Sequence, residues 1–588
     1  MKRIRSYLFL ITSGVLLFGA AACKKSISGA RSNNNGGGGG NGPATDSTYN
    51  PVDPSTPATV GFFASNWKAR SFSGPGDQTA PASGSLTVTD ALTIDVNRVL
   101  AKVPPTVFGN NSNLWMGQIV TQPDLMQYIT DLSPNIIRAP AGSVSDTYFW
   151  NGTPANPKPA DAPDSVYSSG SLGNIGNWYG GDNQSWTLDL QNYYSLLAST
   201  HSQAIFTVNY GYARYGTGPD PVAAAAHLAA DWVRYDNGRT RYWEIGNECY
   251  GNWEAGYQID VTRNQDHQPA TITGALYGQH WNVFADSMRA AAQEVGATIY
   301  IGAILYSSAP QTYDYASIQT WNQGVLANAG KAADFFIIHD YFTAYNSNST
   351  VGQILGTALT EPSTDMSYIQ QQLNGAGVQA KPVALTEWNI QAVGSKQNTS
   401  YIAGIHAALT LGQFIRNGFG EASRWDLANG YSNGDDMGMF NSGDEPNAPL
   451  WNPRPAFYYM YYFQRFFGDR MVYDSLARSN NDLVTYSSTF SSGQAGTVII
   501  NTGSVNHVVS VDFRHFPAGA GYHYVLLSGG TDNSPFSGQV YVNGVGPATA
   551  TGGPLSYSTI KSYGAPLTGT IKLAVPAMSV IYLVADGK

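Results

Sequence analysis

Hydrophobic positions along this chain fall into short runs that change their period twice. Eight apolar runs read as strands: PTVFG (105–109), NIIRA (135–139), AIFTVNYG (204–211), RYWEIGNE (241–248), TIYIGAI (298–304), FFIIHDYF (335–342), PVALTEWN (382–389) and EASRWDLA (421–428). Between them, residues 123–132, 221–235, 277–296 and 401–418 carry apolar side chains at helical spacing. Strands that alternate with helices eight times predict an α/β fold, a (β/α)8 TIM barrel over residues 98–469. From about Arg470 the period shortens: AGTVIINTG, HVVSVDF, YHYVLLSGG, QVYVNGVG and AMSVIYLVADG alternate between Gly and Asn turns without a helical pattern. That predicts an accessory C-terminal β-sandwich over 470–588. Within 60–97, the segment SLTVTDALTIDVN (85–97) also reads as strand and is expected to join the sandwich.

The first residues break this pattern. Lys2, Arg3 and Arg5 precede an apolar stretch of about a dozen residues, then Ala20, Ala21, Ala22 and Cys23. This reads as a signal peptide over 1–22, and its end resembles a bacterial lipobox, which makes Cys23 the expected lipidation site. Residues 23–59, with GGGGG at 36–40, read as a flexible tether that cannot bury a core. No other apolar run of about 18 residues occurs, so the only membrane association expected is the lipid anchor, in the cell envelope at a bacterial outer membrane or cell surface. Cys249 is the second of two cysteines, and the body is expected to be stabilised by its core.

Composition narrows the partner. Charged residues are 12% and aromatics 12% of 588 residues, with 13 Trp and 37 Tyr, and the net charge is -9. No basic run lies beyond the first few residues, so nucleic acid is excluded as an expected partner. Rings with polar edges and few charges suit a neutral, hydroxyl-rich ligand, and the expected partner is a polysaccharide or oligosaccharide. His, Cys and Asp spacings carry no metal signature and no Gly-rich phosphate loop precedes a helix, so no metal or other cofactor is expected.

A barrel places its chemistry at the C-terminal ends of its strands. Those ends read Asn110, Arg138, Asn209 with Tyr210, Asn247 with Glu248, His339 with Tyr341, Glu387 with Trp388, and Trp425 with Asp426. Glu248 and Glu387 end the fourth and seventh strands, and hydrolysis of an acetal needs two such carboxyl groups. Glu244 shares strand parity with Glu248 but lies deeper and reads as structural. Asp340 and Asp426 read as loop or ion-pair residues, and Cys249 as a small wall residue.

WEIGNE followed by LTEWN resembles clan A of the retaining glycoside hydrolases. RAPAGSVSDTYFWNG, VNYG and RPAFYYMYYFQRFFGD extend the likeness towards family 51, the α-L-arabinofuranosidases and related endo-glycanases, over about residues 100–470. The resemblance implies Glu248 as general acid/base, Glu387 as nucleophile, and Asn247 as donor to the sugar hydroxyl beside the reacting carbon. Arg138, His339 and Tyr341 would surround the nucleophile, Trp388 and Trp425 would floor the sugar, and Asn110, Asn209 and Tyr210 would line the rim. The carboxyl groups are expected about 5 to 5.5 Å apart, with like charge raising the pKa of Glu248. Where the family carries a Glu after its first strand, this chain reads FGNNSNLW, and the turn after the second strand is Arg138-Ala139-Pro140-Ala141-Gly142. That change predicts weaker furanose binding. Three readings follow: an arabinofuranosidase-like hydrolase, an endo-β-glycanase acting on glucan, xyloglucan or xylan, or a non-catalytic glycan-binding lipoprotein.

Overall fold

The computed structural model describes residues 49–588 except 141, 175, 346, 395, 432–436, 478–480, 531 and 533. The expected signal peptide, the expected lipidation site Cys23 and most of the expected tether lie outside the described residues. Residues 53–59, expected to be free tether, are instead attached to the body. Asp53 pairs with Arg470 at 2.5 Å, and buried Thr59 accepts from the backbone N–H of Val383 at 2.8 Å.

Eight parallel strands close a barrel: β1 (Gly109–Asn111), β2 (Ile136–Ala139), β3 (Gln203–Val208), β4 (Tyr242–Ile245), β5 (Tyr300–Ile304), β6 (Phe335–Tyr341), β7 (Val383–Asn389) and β8 (Glu421–Arg424), with β8 pairing back to β1. The first run is shorter than expected. Pro105–Val107 forms a 3-10 turn, because two prolines fix the backbone there, and the strand starts only at Gly109. Eight helices follow the strands: α1 (Pro123–Leu132), α2 (Leu190–Thr200), α3 (Pro221–Asp236), α4 (Gly274–Glu294), α5 (Trp321–Asn328), α6 (Val351–Gly375), α7 (Tyr401–Asn417) and α8 (Pro455–Phe466). Their starts have local causes. Asp189, Asp220, Thr273 and Ser400 accept from orphan N–H groups in the first turn, and Thr350 with Gln353 forms a capping box. At the bottom of the barrel Phe62 stacks on Tyr242 and Tyr300, and Phe63 packs against Tyr242 and edge-on to Phe335, which closes that end.

The C-terminal strands form one mixed sheet that folds around a second apolar core of Leu92, Ile94, Val472, Ile499, Val511, Leu573 and Leu583. The strand Asp90–Lys102 belongs to this sheet, between Arg470–Ala477 and His507–Arg514. Helix α7 meets the sheet at Gly412, where a Cβ would lie 2.4 Å from the Tyr486 ring, so only glycine permits this approach. Opposite it, Tyr582 donates to the carbonyl of Tyr459 on α8 at 2.8 Å.

Candidate active site

The mouth is organised around Arg138. This guanidinium is fully buried on β2 and donates to Glu244 (2.7 Å), Glu387 (2.8 Å), Asn247 (2.8 Å) and Asn111 (3.1 Å). Burial opposes its charge, but Glu244 and Glu387 outweigh burial and raise its pKa. Glu244, read as structural, is fully buried and also accepts from Thr207 at 2.8 Å, so it anchors the arginine from below.

Glu387 reaches this fork because the register between β6 and β7 slips. Ile338 pairs with Leu385, yet the next residue, His339, pairs with Glu387 and not Thr386. The irregularity puts His339, Tyr341 and Glu387 on one face. Tyr341 donates to Glu387 Oε2 at 2.7 Å, while Arg138 holds Oε1.

Glu248 follows a sharp turn after β4. Gly246 has φ 77°, and a Cβ there would lie 2.5 Å from Cys249 Sγ and 2.7 Å from Tyr210 Cβ, so the turn requires glycine and Cys249 forms its wall. Glu248 itself has φ 39°, an uncommon conformation for a side-chain-bearing residue. Its carboxylate accepts from Trp253 Nε1 (2.8 Å) and Tyr250 Oη (3.3 Å) and lies 3.1 Å from His339 Nδ1. His339 Nε2 faces Thr386 Oγ1 at 3.0 Å, and Nδ1 is also 3.7 Å from Glu387.

The acid–base balance differs from the expected one. Burial raises the pKa of Glu248, but the hydrogen bond and charge of His339, the Trp253 N–H and the Arg138 charge outweigh it, and the carboxyl lies below its ordinary value. For His339, burial works downward and the charge of Glu387 with the Glu248 hydrogen bond overcomes it, so the imidazole is raised. The charge of Glu387 therefore acts on the imidazole and does not raise Glu248. An imidazole stands between the two glutamates, and it was absent from that expectation.

Asn247 is held from three sides. Its Oδ1 accepts from Arg138, its amide nitrogen donates to Glu254 at 2.9 Å, and its backbone N–H donates to Asp146. Asp146 also accepts from the N–H groups of Tyr210 and Gly211, tying the ends of β3 and β4 together, and burial pushes it up to about 7. Glu254 is raised by burial, Asp146 and Glu248. Asp146, Glu254 and Trp253 were not picked out from the sequence, and Asn111 was noted only with Asn110 as standing in place of the family's Glu.

Several expected rim residues lie elsewhere. Asn110 pairs with Ile137 on the opposite strand face from the Asn111–Arg138 pair, and its neighbour Asn111 makes the contact with Arg138. Asn209 binds Tyr148 O and accepts from the Tyr212 N–H, which starts a short turn of helix. Tyr210 packs on α4 against Tyr277 and Phe284, with its hydroxyl 3.0 Å from His280. Trp388 is fully buried against Phe414 of α7, so it cannot floor a sugar. Trp425 does remain at the mouth, half-buried, with its ring over Gly142. Asp426 accepts from Asn113 and Asn429.

No family model and no curated protein sequence matches the chain. Solved structures do share its fold. An α-L-arabinofuranosidase from Thermotoga maritima in an arabinose complex aligns with TM-score 0.59 and 14% identity, over 85% of this chain and all of that one. A family 51 arabinofuranosidase from Xanthomonas axonopodis pv. citri aligns at 0.55 with 18% identity, over 85% of this chain and all of that one. A bifunctional glucanase-xylanase from a metagenome library aligns at 0.56 with 14% identity, over 86% and 100%. At these identities the likeness establishes the fold, a (β/α)8 barrel with a C-terminal β-sandwich, and the group of structures is the one that the sequence motifs resemble.

Among the described residues, two sets of side chains are spaced closely enough to bracket a cation. In the first, Glu248, His339 and Glu387 place ligand atoms within 4.8 Å of one another, but Arg138, Tyr341 and Trp253 already donate to the two carboxylates. In the second, Asp340, Glu361 and Asp365 lie close together, and burial pushes Asp340 up to about 7, so a shared proton relieves the like charges.

Proposed function

We propose that this chain is a glycoside hydrolase that cleaves a neutral polysaccharide with retention of anomeric configuration. The observation that carries the reading is the pair Glu248 and Glu387 with oxygens within 4.8 Å, each held by its own donors. That spacing suits attack by a carboxylate and leaves no room for a water between the two groups. Glu387, oriented by Arg138 and Tyr341, forms a bond to the anomeric carbon as the glycosidic C–O bond breaks. Glu248 delivers a proton to the departing oxygen. It then takes a proton from the water that displaces Glu387 and releases the sugar. His339 stores the first proton. When sugar covers the pair, loss of water acts on both groups in the same sense, favouring neutral Glu248 and neutral His339, and the proton crosses 3.1 Å from Nδ1 to the carboxylate.

Within this class, one observation favours an endo-glycanase over an arabinofuranosidase. Where the family carries its furanose-binding Glu this chain has the neutral Asn110 and Asn111, and Asn111 has nothing left for a sugar: its amide nitrogen is committed to the carbonyls of Thr386 (2.8 Å) and Ser423 (3.2 Å), and its oxygen to Arg138. Anchoring through Cys23 completes the proposal: Cys23→Ser should leave the protein out of the membrane fraction, and a lipid-anchored variant would overturn that part.

Release of reducing sugar from arabinan, arabinoxylan, xyloglucan and β-glucan tests the reaction, with azide rescue to assign the roles. Azide should rescue Glu248→Ala with retained and Glu387→Ala with inverted configuration. Inversion by the parent enzyme, or near-parental turnover in both variants, would refute the assignment.

A further inference from the structure

Three tryptophans stand outside the machinery described so far. The Trp178 ring centroid lies 6.1 Å from that of Trp115 and 5.7 Å from that of Trp186. Trp115 belongs to the loop after β1, and the other two belong to the segment between β2 and α2, so all three are on the face where the strands end. The row is fixed to its surroundings. Gly117 donates to the Trp186 carbonyl at 3.2 Å, Leu188 to the Leu114 carbonyl at 2.7 Å, and Trp178–Tyr179 pairs with Tyr148–Phe149.

The row also connects to the mouth. Trp115 Nε1 donates to Asn429 at 3.3 Å, and Asn429 donates to Asp426 just past β8 at 3.0 Å. From there the rings run outward to Trp186, which is 47% exposed. Across the mouth, on the β4 and β5 side, Trp253 donates to Glu248 and lies 6.4 Å from the Tyr315 ring. Strands β4 and β8 are opposite one another in the closed barrel, so the two aromatic sets flank the carboxylates from opposite sides. Between residues 165 and 188 the segment carries a single charged side chain, the buried Asp182, which accepts from Gln184 at 3.2 Å. No Asp, Glu, Lys or Arg occurs between Asp164 and Asp182, and the exposed Asn183, Gln184 and Ser185 supply amide and hydroxyl groups beside Trp186. Rings edged by neutral hydrogen-bonding groups fit sugar faces and their hydroxyls.

We propose that Trp115, Trp178 and Trp186 form a stacking platform for further sugars of a neutral polysaccharide, on the side of the cleavage point away from Glu248. The proposal rests on the reading of Glu248 as the acid. The leaving sugar departs on the Glu248 side, so the platform holds the other part of the chain. The polymer then crosses the mouth and is cut internally.

Affinity electrophoresis tests this with the Glu387→Gln variant, which should bind without turnover, in native gels containing graded arabinan, arabinoxylan, xyloglucan or mixed-linkage β-glucan. At least one polymer should retard it, and adding Trp186→Ala or Trp178→Ala should weaken that binding about two- to tenfold. Trp186 is half exposed, so its variant should melt as the parent does and keep the test valid if Trp178→Ala fails to fold. No retardation by any of the four polymers, or unchanged retardation in Trp186→Ala, overturns the platform. Retardation lost in Trp186→Ala while the parent hydrolyses none of the polymers would support the platform as a binding surface and refute the hydrolase reading. Hydrolysis together with unchanged binding in Trp186→Ala would refute the platform alone.

Discussion

Arg138→Met is the substitution through which the organisation of the mouth can be measured. It keeps an apolar stem of similar reach and deletes the cation that Glu244 and Glu387 share at 2.7 and 2.8 Å, in a place closed to water. Removing one partner of a buried ion pair costs about 3–5 kcal/mol, because the other charge stays buried without compensation. Two carboxylates lose the same partner here. Each keeps one hydroxyl donor, Thr207 for Glu244 and Tyr341 for Glu387, which holds the loss within that range. Unfolding entropy of about 2.1 cal/mol/K per residue over the roughly 540 residues from Tyr49 onward gives about 1.1 kcal/mol per degree. The melting temperature should therefore fall by about 3–5 °C in calorimetry, with loss of turnover because Glu387 is no longer oriented. The decisive comparison adds Glu244→Gln. Neutralising Glu244 removes one of the stranded charges, so the double variant should be about 2 kcal/mol more stable than the sum of the two single losses predicts. An Arg138→Met protein that melts within a degree of the parent, or a double variant whose loss is the simple sum, would refute this account of the fork.

Three further outcomes follow from the same geometry. Because Glu248 and His339 share one proton and the imidazole is raised above its ordinary value, the basic limb of kcat/KM should lie above pH 6.5, and a limb between about 4 and 5 would place the proton on an isolated carboxyl instead. Asp146, pushed up to about 7 from 3.8, keeps its proton in the folded state after the unfolded chain has released it, so stability should fall as pH rises from about 4 to 7; thermal melts of Asp146→Asn should lose that part of the slope. Trp388→Ala should cost about 3–5 kcal/mol as a core cavity, read as a melting temperature about 3–5 °C lower, whereas an unchanged melting temperature with a raised KM would return Trp388 to the sugar.

The barrel was legible because its strands are short, apolar and separated by helices with their own start signals. The run at 335–342 became β6 and the run at 382–389 became β7 with ends displaced by a residue at most. The N-terminal attachment was harder to read. Residues 53–59 are polar and proline-rich and look like linker, yet one bidentate contact from Arg470 to Asp53 and one β-type hydrogen bond to Val383 hold them to the body. Contacts between positions more than 300 residues apart leave no local signature.

The candidate site divides along strand parity, which explains the expectations that failed. Successive residues of a strand face opposite sides, so of two neighbours at a strand end only one can enter the barrel. Reading Asn209 with Tyr210 and Glu387 with Trp388 as joint site residues asked both faces to do the same work. In the structure Glu387 enters the barrel and Trp388 packs on α7, while Tyr210 packs on α4. The same rule applied to β1 selects Asn111, opposite Arg138, over Asn110, opposite Ile137. Parity alone still does not deliver Glu248. It lies three residues past the end of β4, beyond the turn at Gly246, where backbone conformation aims the side chain. Nor does parity deliver the His339–Glu387 pairing, which needs the slipped register at Thr386. Both irregularities act at the reacting groups. A regular barrel would set Thr386, a neutral hydroxyl, opposite His339, and the one-residue slip puts Glu387 there instead, with its carboxylate 3.7 Å from an imidazole that also lies 3.1 Å from Glu248.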